Sequence, residues 1–446
     1  FRAEEEGRVM LAYQVKIALK SLRRNPVLSV LMVAGIALGI AVSTAFITTH
    51  YLMSGDPIPH KSDSLYYVEL DSWHPDTPWN DDHPELPPNQ ITYTDMRGIM
   101  ESDIPTYQGG AFKGSLTVQP DSETEKPYRE DVRMCFSGFF PMMDVPFEYG
   151  GGWGKSADEG PEPVVVINAE TNRKLFGGEN SVGRTLRIDN QNFTVVGVVA
   201  EWRPSVKFYD VHNGGYDESE AIYVPFNFNV PMEIYSEGNN SNWKYYEGDE
   251  YQDWLGSENI FIQMWVQLDS REQRDEYLSF LNAYTSEQKK LGRFQRPTNN
   301  LVLPVMEYLE QEEVVPEEAT ALLIISILFL IVCSVNLIGI LLGKFLARAP
   351  EVGVRRALGA SRRSVFIQHL VECEVLGLFG GVIGVGLSLV ALDLINRLFD
   401  NQFSFHLDLN MVLAALVLSL AAGFVAGIYP AWRICRVPPA NYLKLQ

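Results

Sequence analysis

Apolar residues along this chain gather into four long runs, and a helix needs about 20 of them to cross the hydrocarbon core of a bilayer. The runs are Val27 to Leu52, Ala319 to Leu346, Val365 to Leu398 and Met411 to Trp432. The first carries no charge and outlasts the apolar region of a secretory signal, so it reads as a retained anchor. The third is too long to lie wholly in lipid, with Glu372 and Glu374 near one end and Asp393 and Arg397 near the other. Its ends project into water, or the helix bends at Gly380 and Gly381.

Ahead of the first run, Leu11, Val15, Leu19 and Leu22 share one helical stripe, with Lys16, Lys20, Arg23 and Arg24 largely off it. That is the pattern of an amphipathic helix lying on an anionic membrane surface. Asn25 and Pro26 then form the corner into the first span, because proline suits a helix's first turn. Residues before Met10 hold three consecutive glutamates and no apolar pattern; Met10 is the expected start, and what precedes it is given no function.

Between the first two runs the pattern changes to alternation. Strands are expected at Pro163 to Asn168, Arg184 to Val199 with Asp189 and Asn190 at a turn, Ala221 to Phe226 and Phe261 to Leu268. Helices are expected at Asn168 to Phe176 and Arg271 to Leu291. Two long polar loops, DSWHPDTPWNDDHPELPPNQ and EIYSEGNNSNWKYYEGDEYQDW, stand out, and loops of that length are usually functional or mobile.

The fold expected is a membrane protein with four transmembrane α-helices and a large α+β domain inserted between helices 1 and 2. Its parts are an amphipathic helix (10–26), span one (27–53), the α+β domain (54–316), span two (317–346) and a cytoplasmic segment (347–364). Span three (365–398), a short outer loop (399–410), span four (411–432) and a cytoplasmic tail (433–446) complete it.

Charge orients this arrangement. Lysine and arginine in short loops beside spans collect on the cytoplasmic side. They precede span one, fill the segment between spans two and three (Lys344, Arg348, Arg355, Arg356, Arg362, Arg363), and follow span four (Arg433, Arg436, Lys444). Both termini are therefore expected inside, and the inserted domain outside. That domain holds roughly 45 acidic residues against 20 basic ones, so it more than accounts for the net charge of -20 and argues against a nucleic-acid ligand. Only Cys135 of the four cysteines falls in it, which leaves no intramolecular disulfide.

Glycine pairs recur at i, i+4 in every span: Gly35 and Gly39, Gly339 and Gly343, Gly380 and Gly384, Gly423 and Gly427. Small residues at this spacing let helices approach closely, which favours a tight bundle over an open pore. Asn336 is the clearest polar residue deep in a span and is expected to pair with a neighbouring helix or subunit, with movement of an ion or substrate as the alternative. Glu372 and Glu374, near His369, are expected to meet Arg362 or Arg363; a proton relay is the other reading. A bundle of four helices with no internal repeat is too small to enclose a pathway, so a dimer is expected.

The segment EVGVRRALGASRRSV, Glu351 to Val365, sets Val354, Leu358 and Val365 on one face, with Pro350 at a helix start, Gly359 at its end and Ser361 capping the next helix. Such an element can receive force from a cytoplasmic partner, or its arginines set topology and bind lipid headgroups. The histidines and aspartates His74, Asp76, Asp81, Asp82 and His83 form the nearest thing to a metal cluster, but in a proline-rich loop expected to be solvated surface. No metal site is expected, and no nucleophile motif points to an enzyme.

EVGVRRALGASRRSV followed by FIQHLVECEVLGLFGGVIG resembles the hallmark of the FtsX/MacB permease superfamily. VVVINAETNRKLFGGENSVGRTLRIDNQNFTVVGVV resembles the MacB-type periplasmic core, while RNPVLSVLMVAGIALGIA and GIYPAWRICRVPPANYL resemble the first span and the C-terminal tail. The resemblance implies a type VII ABC transporter permease in the bacterial inner membrane. Such a permease pairs with a second one, as a homodimer or heterodimer, and with a cytoplasmic ABC ATPase. It implies that Glu351, Gly353, Arg355, Arg356, Leu358, Gly359 and Ala360 form the segment that couples to the ATPase. A periplasmic adaptor and a TolC-like outer-membrane channel would complete an exporter; lipoprotein release or regulation of cell-wall hydrolases are the alternatives. The sequence departs from full MacB proteins in lacking a G-x-x-x-x-G-K-[ST] phosphate loop, so ATP and magnesium are expected in a separate ATPase chain and no cofactor in this one. It also places Glu374 where relatives carry a small or apolar residue.

Overall fold

The computed structural model describes residues 2–121, 126–398 and 405–436. The side chains of Met10 and Leu11, loop residues 399–404 and Lys444 lie outside the described residues. The chain divides into two compact units, Gly55–Val314 and a helical unit made of Phe1–Ser54 and Val315–Gln446.

The helical unit comprises α1 (Arg2–Arg24), α2 (Pro26–Ser54), α3 (Glu317–Ala347), α4 (Ala349–Ala357), α5 (Arg362–Leu398) and α6 (Leu409–Cys435). Four of these, α2, α3, α5 and α6, are long and apolar enough to span a membrane. Helix α5 packs between α2 and α6, and α3 lies against α2. Met32, Ile36 and Ile40 of α2 meet Leu330, Leu337 and Leu341 of α3 and Leu376 of α5 in the centre. Many large apolar residues stay exposed, among them Ile325, Leu328 and Val332 of α3, as expected of a surface solvated by lipid. Helix α5 is uninterrupted over 37 residues, about 55 Å against a hydrocarbon core of about 30 Å, so its ends project beyond the core.

Helix α1 differs from its sequence reading. It begins at Arg2, well before Met10. Its buried face centres on Ala18 and Ser21, while Leu19 of the expected stripe is exposed. Two small residues let α1 come close to α5, which outweighs the larger leucine. Helix α4 follows the expected punctuation: Pro350 sits in its first turn, Gly359 has the left-handed φ of 104°, and Ser361 Oγ accepts from the Ser364 amide at 3.1 Å to start α5. Val365, however, lies beyond this turn and is buried in the bundle, whereas Val354 and Leu358 are exposed, so the three do not share a face.

The inserted unit is built on one mixed sheet. Its main strands are β1 (Leu65–Glu69), β2 (Tyr107–Gln119), β3 (Tyr128–Cys135), β4 (Phe147–Gly150), β5 (Val164–Asn168), β6 (Thr185–Ile188), β7 (Gln191–Val199), β8 (Ile222–Pro225), β9 (Asn259–Gln267) and β10 (Leu301–Pro304). They lie in the order β10-β1-β9-β2-β3-β8-β5-β7-β4, with β6 pairing β2 and β7. The β3/β8 and β5/β7 contacts are parallel and the rest antiparallel. Both faces are covered: in β1, Tyr66 and Val68 enter one core, Leu65 and Tyr67 the other. Asp189 and Asn190, both at positive φ (42° and 68°), make the two-residue turn between β6 and β7. The helix Ala169–Phe176 is capped by Asn168 Oδ1, which accepts from the Thr171 amide at 2.8 Å, and the helix Arg271–Lys290 by Ser270.

Candidate functional site

The basic end of the helical bundle holds its most concentrated chemistry. Glu372, 3% exposed and nearly three turns into α5, accepts a hydrogen bond from Ser21 Oγ of α1. Lys344 Nζ, near the end of α3, lies 2.7 Å from one carboxylate oxygen, and Arg348 Nη1, in the junction to α4, lies 3.5 Å from the other. Arg348 also donates to the hydroxyl and the carbonyl of Ser21. One carboxylate thus ties α1, α3, the start of α4 and α5 together. The expected partners Arg362 and Arg363 do not reach it, because ten residues of helix put Arg362 about 15 Å away along the axis. Glu374, on another side of α5, is half-buried and its Oε1 has no hydrogen-bond partner among the described residues.

The segment singled out for coupling surrounds this junction. Glu351 joins Arg355 at 3.0 Å and Arg24 of α1 at 3.5 Å, and Arg355 Nη1 donates to Gln368 at 3.3 Å. Arg356 Nη1 donates to the Cys435 carbonyl at 3.1 Å, which links α4 to the end of α6. Gly353 is buried where α4 crosses the bundle, Gly359 makes the turn, and Ala360 is half-buried after it. The arginines therefore hold α4 in place. What α4 offers outward is Val354 and Leu358, 48% and 83% exposed.

The glycines divide. A Cβ at Gly380 would come within 2.5 Å of Ile36, one at Gly384 within 2.9 Å of the Ala37 carbonyl, and one at Gly427 within 2.7 Å of Cys373 Sγ. Gly39 faces Leu330 and Cys333 of α3, and Gly423 faces the Cys373 carbonyl and Gly377. These seat α2, α3, α5 and α6 against one another. Gly35, Gly339 and Gly343 meet nothing within 4 Å. Asn336 is exposed as well, because the inward edge of α3 runs through Leu330, Leu337, Leu341 and Lys344; within this chain it is not buried. The tight α2/α3 seam, with Ser43 Oγ donating to the Ser326 carbonyl at 2.9 Å, leaves the apolar groove of the outer end elsewhere, between α2 and α6.

Residues 29–279 match the MacB-like periplasmic core domain, and residues 323–439 match the FtsX-like permease C-terminal domain. The chain belongs to the MacB/FtsX-like family of ABC transporter permeases. The macrolide export ATP-binding/permease protein MacB of Burkholderia lata is 24% identical over 380 residues, covering 83% of this chain and 48% of that protein. The pyoverdine export ATP-binding/permease protein PvdT of Pseudomonas aeruginosa is 26% identical over 310 residues, covering 69% of this chain and 41% of that protein. The chain thus spans about half the length of the curated relatives it matches. Among solved structures, the periplasmic region of MacB from Actinobacillus actinomycetemcomitans covers 57% of this chain and 95% of its own at a TM-score of 0.35 and 13% identity. The extracellular domain of the ABC-type transporter YknZ covers 54% of this chain and 99% of its own, with a TM-score of 0.32 and 16% identity.

The MacB-like domain has its own buried charges. Arg133 of β3, fully buried, donates to Asp210 Oδ2 at 2.6 Å, the Tyr209 carbonyl at 3.1 Å and Gln263 at 3.2 Å. Lys207 lies 3.4 Å from Glu220, and Arg133 3.7 Å from it. Burial works against ionised Glu220, but Lys207 and Arg133 outweigh it and hold its carboxyl below the usual range. His212 and Glu312 form a second buried group, 3.4 Å apart, with Asn89 Nδ2 near both and the Tyr308 hydroxyl 3.1 Å from His212 Nε2. Burial pushes Glu312 up to about 7 and His212 down to about 4. The two polar loops meet: Trp243 Nε1 donates to the Ser72 carbonyl at 2.9 Å, and Arg296 pins the first loop through Asp71, Thr77 and Pro84. Within that loop His74 lies edge-on to Trp243, while His83 turns toward Glu85 and Glu313, so the two histidines serve different contacts. No three metal-ligating side chains converge among the described residues.

Proposed function

We propose that this chain is the membrane subunit of a MacB-like exporter that works by mechanotransmission. A cytoplasmic ABC ATPase, carried outside these residues, binds ATP and magnesium and pushes on α4. The chain's own side chains offer no phosphate loop, so no step of the ATP chemistry is assigned to them. The observation that carries the reading is the construction of α4: Val354 and Leu358 project outward, while Glu351, Arg355, Arg356 and Arg348 bind the helix to α1, α5 and α6. A load applied to the apolar pair is passed to three helices at once. Moving a two-state element from mostly one form to mostly the other takes about 5.5 kcal/mol of differential binding. Two ATP-bound subunits acting on paired permeases are a source of that size.

In this reading both termini are cytoplasmic and the acidic domain works in the periplasm, where it drives an adaptor and a TolC-like outer-membrane channel. The exposed α3 face with Asn336, Gly339 and Gly343 is offered to the second permease, identical or different. The test is ATPase activity of the assembled transporter in nanodiscs. Val354→Ser with Leu358→Ser leaves every bond of α4 in place and is expected to abolish stimulation of the ATPase, as is Arg355→Glu with Arg356→Glu. Undiminished stimulation in the serine variant would return α4 to a purely topological role.

A further inference from the structure

A cavity of about 350 Å³ opens beside the Glu372 junction, framed by α1, α4 and α5. That volume falls in the range of small-ligand sites, about 300–1,000 Å³. Its wall carries Lys20, Arg24, Arg348 and Arg355 against only Glu351 and Glu372. Each carboxylate is already shared by two cations: Arg24 and Arg355 at 3.5 and 3.0 Å from Glu351, Lys344 and Arg348 at 2.7 and 3.5 Å from Glu372. Neither pair of cations is neutralised by the carboxylate between them. Lys344 stands behind the wall, so the lining itself, with Lys20 exposed at the mouth, sets four cations against two carboxylates and keeps a surplus of two positive charges.

The rest of the wall is mixed: Tyr13 and Ile17 of α1, Val352 of α4 and Val365 of α5 give it an apolar half, beside the polar Ser21, Gln368 and His369. A free inorganic anion has no use for that half of the site. A lipid has a use for both halves, and basic recesses at the cytoplasmic ends of spans are where anionic headgroups bind. We propose that this cavity binds the phosphate of an anionic membrane lipid. The phosphate sits between Arg24, Arg348 and Arg355, with Lys20 at the mouth, and the glycerol and upper acyl chains lie along Tyr13 and Ile17. A lipid seated there adds a fourth party to the α1/α4/α5 junction and sets the resting position of α4. The inference rests on the proposed function only in taking this end of the bundle to face the inner leaflet.

The experiment uses the full chain in nanodiscs of mixed phosphatidylcholine and phosphatidylglycerol, with native mass spectrometry counting the lipids retained after release into mild detergent. Phosphatidylglycerol should be retained in preference to phosphatidylcholine, and Lys20→Glu with Arg24→Glu should lose that preference. Lys20→Glu alone disturbs neither carboxylate junction and should weaken retention at least about fivefold, the effect of one surface charge on anionic-lipid binding. Equal retention of the two lipids, or unchanged preference in both variants, would overturn the proposal. So would a phosphate adduct without lipid when inorganic phosphate is supplied, or displacement of the lipid by a co-purifying acidic protein segment. A nanodisc presents the same lipids to both ends of the bundle, so retention does not depend on orientation. Orientation is read separately, by labelling Leu358→Cys in intact cells with an impermeant thiol reagent.

Discussion

Two regions of this molecule bury charge, and they do it differently. In the MacB-like domain, Arg133, Asp210, Glu220 and Lys207 are enclosed by the sheet and the short segments packed on it, with no side chain more than 3% exposed. In the bundle, Glu372 binds side chains from separate helices, next to a cavity of about 350 Å³. The first network is locked by surrounding structure, whereas the second joins bodies that can move and has room beside it. Enclosed charges resist rearrangement because losing one partner strands another without water. A junction beside an open cavity has room to exchange partners, which suits an element that transmits motion.

The largest effect should come from breaking the enclosed network. Arg133→Met leaves Asp210 and Glu220 buried with Lys207 as the one cation still in ion-pair contact among the described residues, and should cost about 3–5 kcal/mol. Urea unfolding followed by tryptophan fluorescence reads this domain, since of eight tryptophans only Trp432 lies outside it. Adding Asp210→Asn leaves Glu220 paired with Lys207 and no charge stranded, and should recover much of the loss. A single-variant cost below about 1 kcal/mol would mean the network is not as dry as its burial implies.

Much of the fold could be read from local chemistry. The four spans, the turn at Asp189 and Asn190 and the helix after Ser270 follow from hydropathy, turn residues and caps that act within a few positions. The long hairpin of β2 and β3 could not be read this way, because Gly109, Gly110 and Gly114 interrupt the pattern where neighbouring side chains need the space. The Glu372 junction was legible only in part. A lysine near the end of an apolar run and a glutamate early in the next were visible, but helix rise sends Glu372 past Arg362 toward Lys344, and Ser21 is 351 positions away in the chain. That Asn336 faces out of this chain was not legible, because hydropathy reports depth in a membrane and not which face of a helix looks inward.

A smaller effect separates paired from neutralised burial inside the same domain. Glu312 is held protonated by burial up to about pH 7. The unfolded chain ionises it near 4.5, so the folded form binds more protons and stability falls as pH rises through that window. His212 runs the other way: neutral in the fold down to about 4, it takes a proton in the unfolded chain below 6.5, so stability rises with pH from about 4 to 6.5. In the native protein the two slopes oppose each other between about 4.5 and 6.5. Glu312→Gln should be close to neutral at pH 4.5 and stabilising by about 2–3 kcal/mol at pH 8, leaving the His212 slope alone. Urea midpoints at several pH values test this, and a variant with the native pH profile would remove Glu312 from the account.

The smallest change in stability should follow Glu372→Gln, and it sharpens the comparison most. Glutamine keeps an acceptor for Ser21 and Lys344 but withdraws the charge shared by Lys344 and Arg348. In an enclosed network that would rank with Arg133→Met. Here Arg348 lines the cavity and can reach water by moving its flexible stem, while Lys344, itself enclosed, keeps the glutamine oxygen as an acceptor. The expected cost is about 1–2 kcal/mol, read from helical circular dichroism on heating in nanodiscs. The same variant should lower ATPase stimulation well beyond what that loss explains, because Arg348 at the start of α4 loses the charge that ties it to α5. A cost near 4 kcal/mol with stimulation intact would make the junction a second locked network, and the force would have to leave α4 through Arg356 and α6 instead.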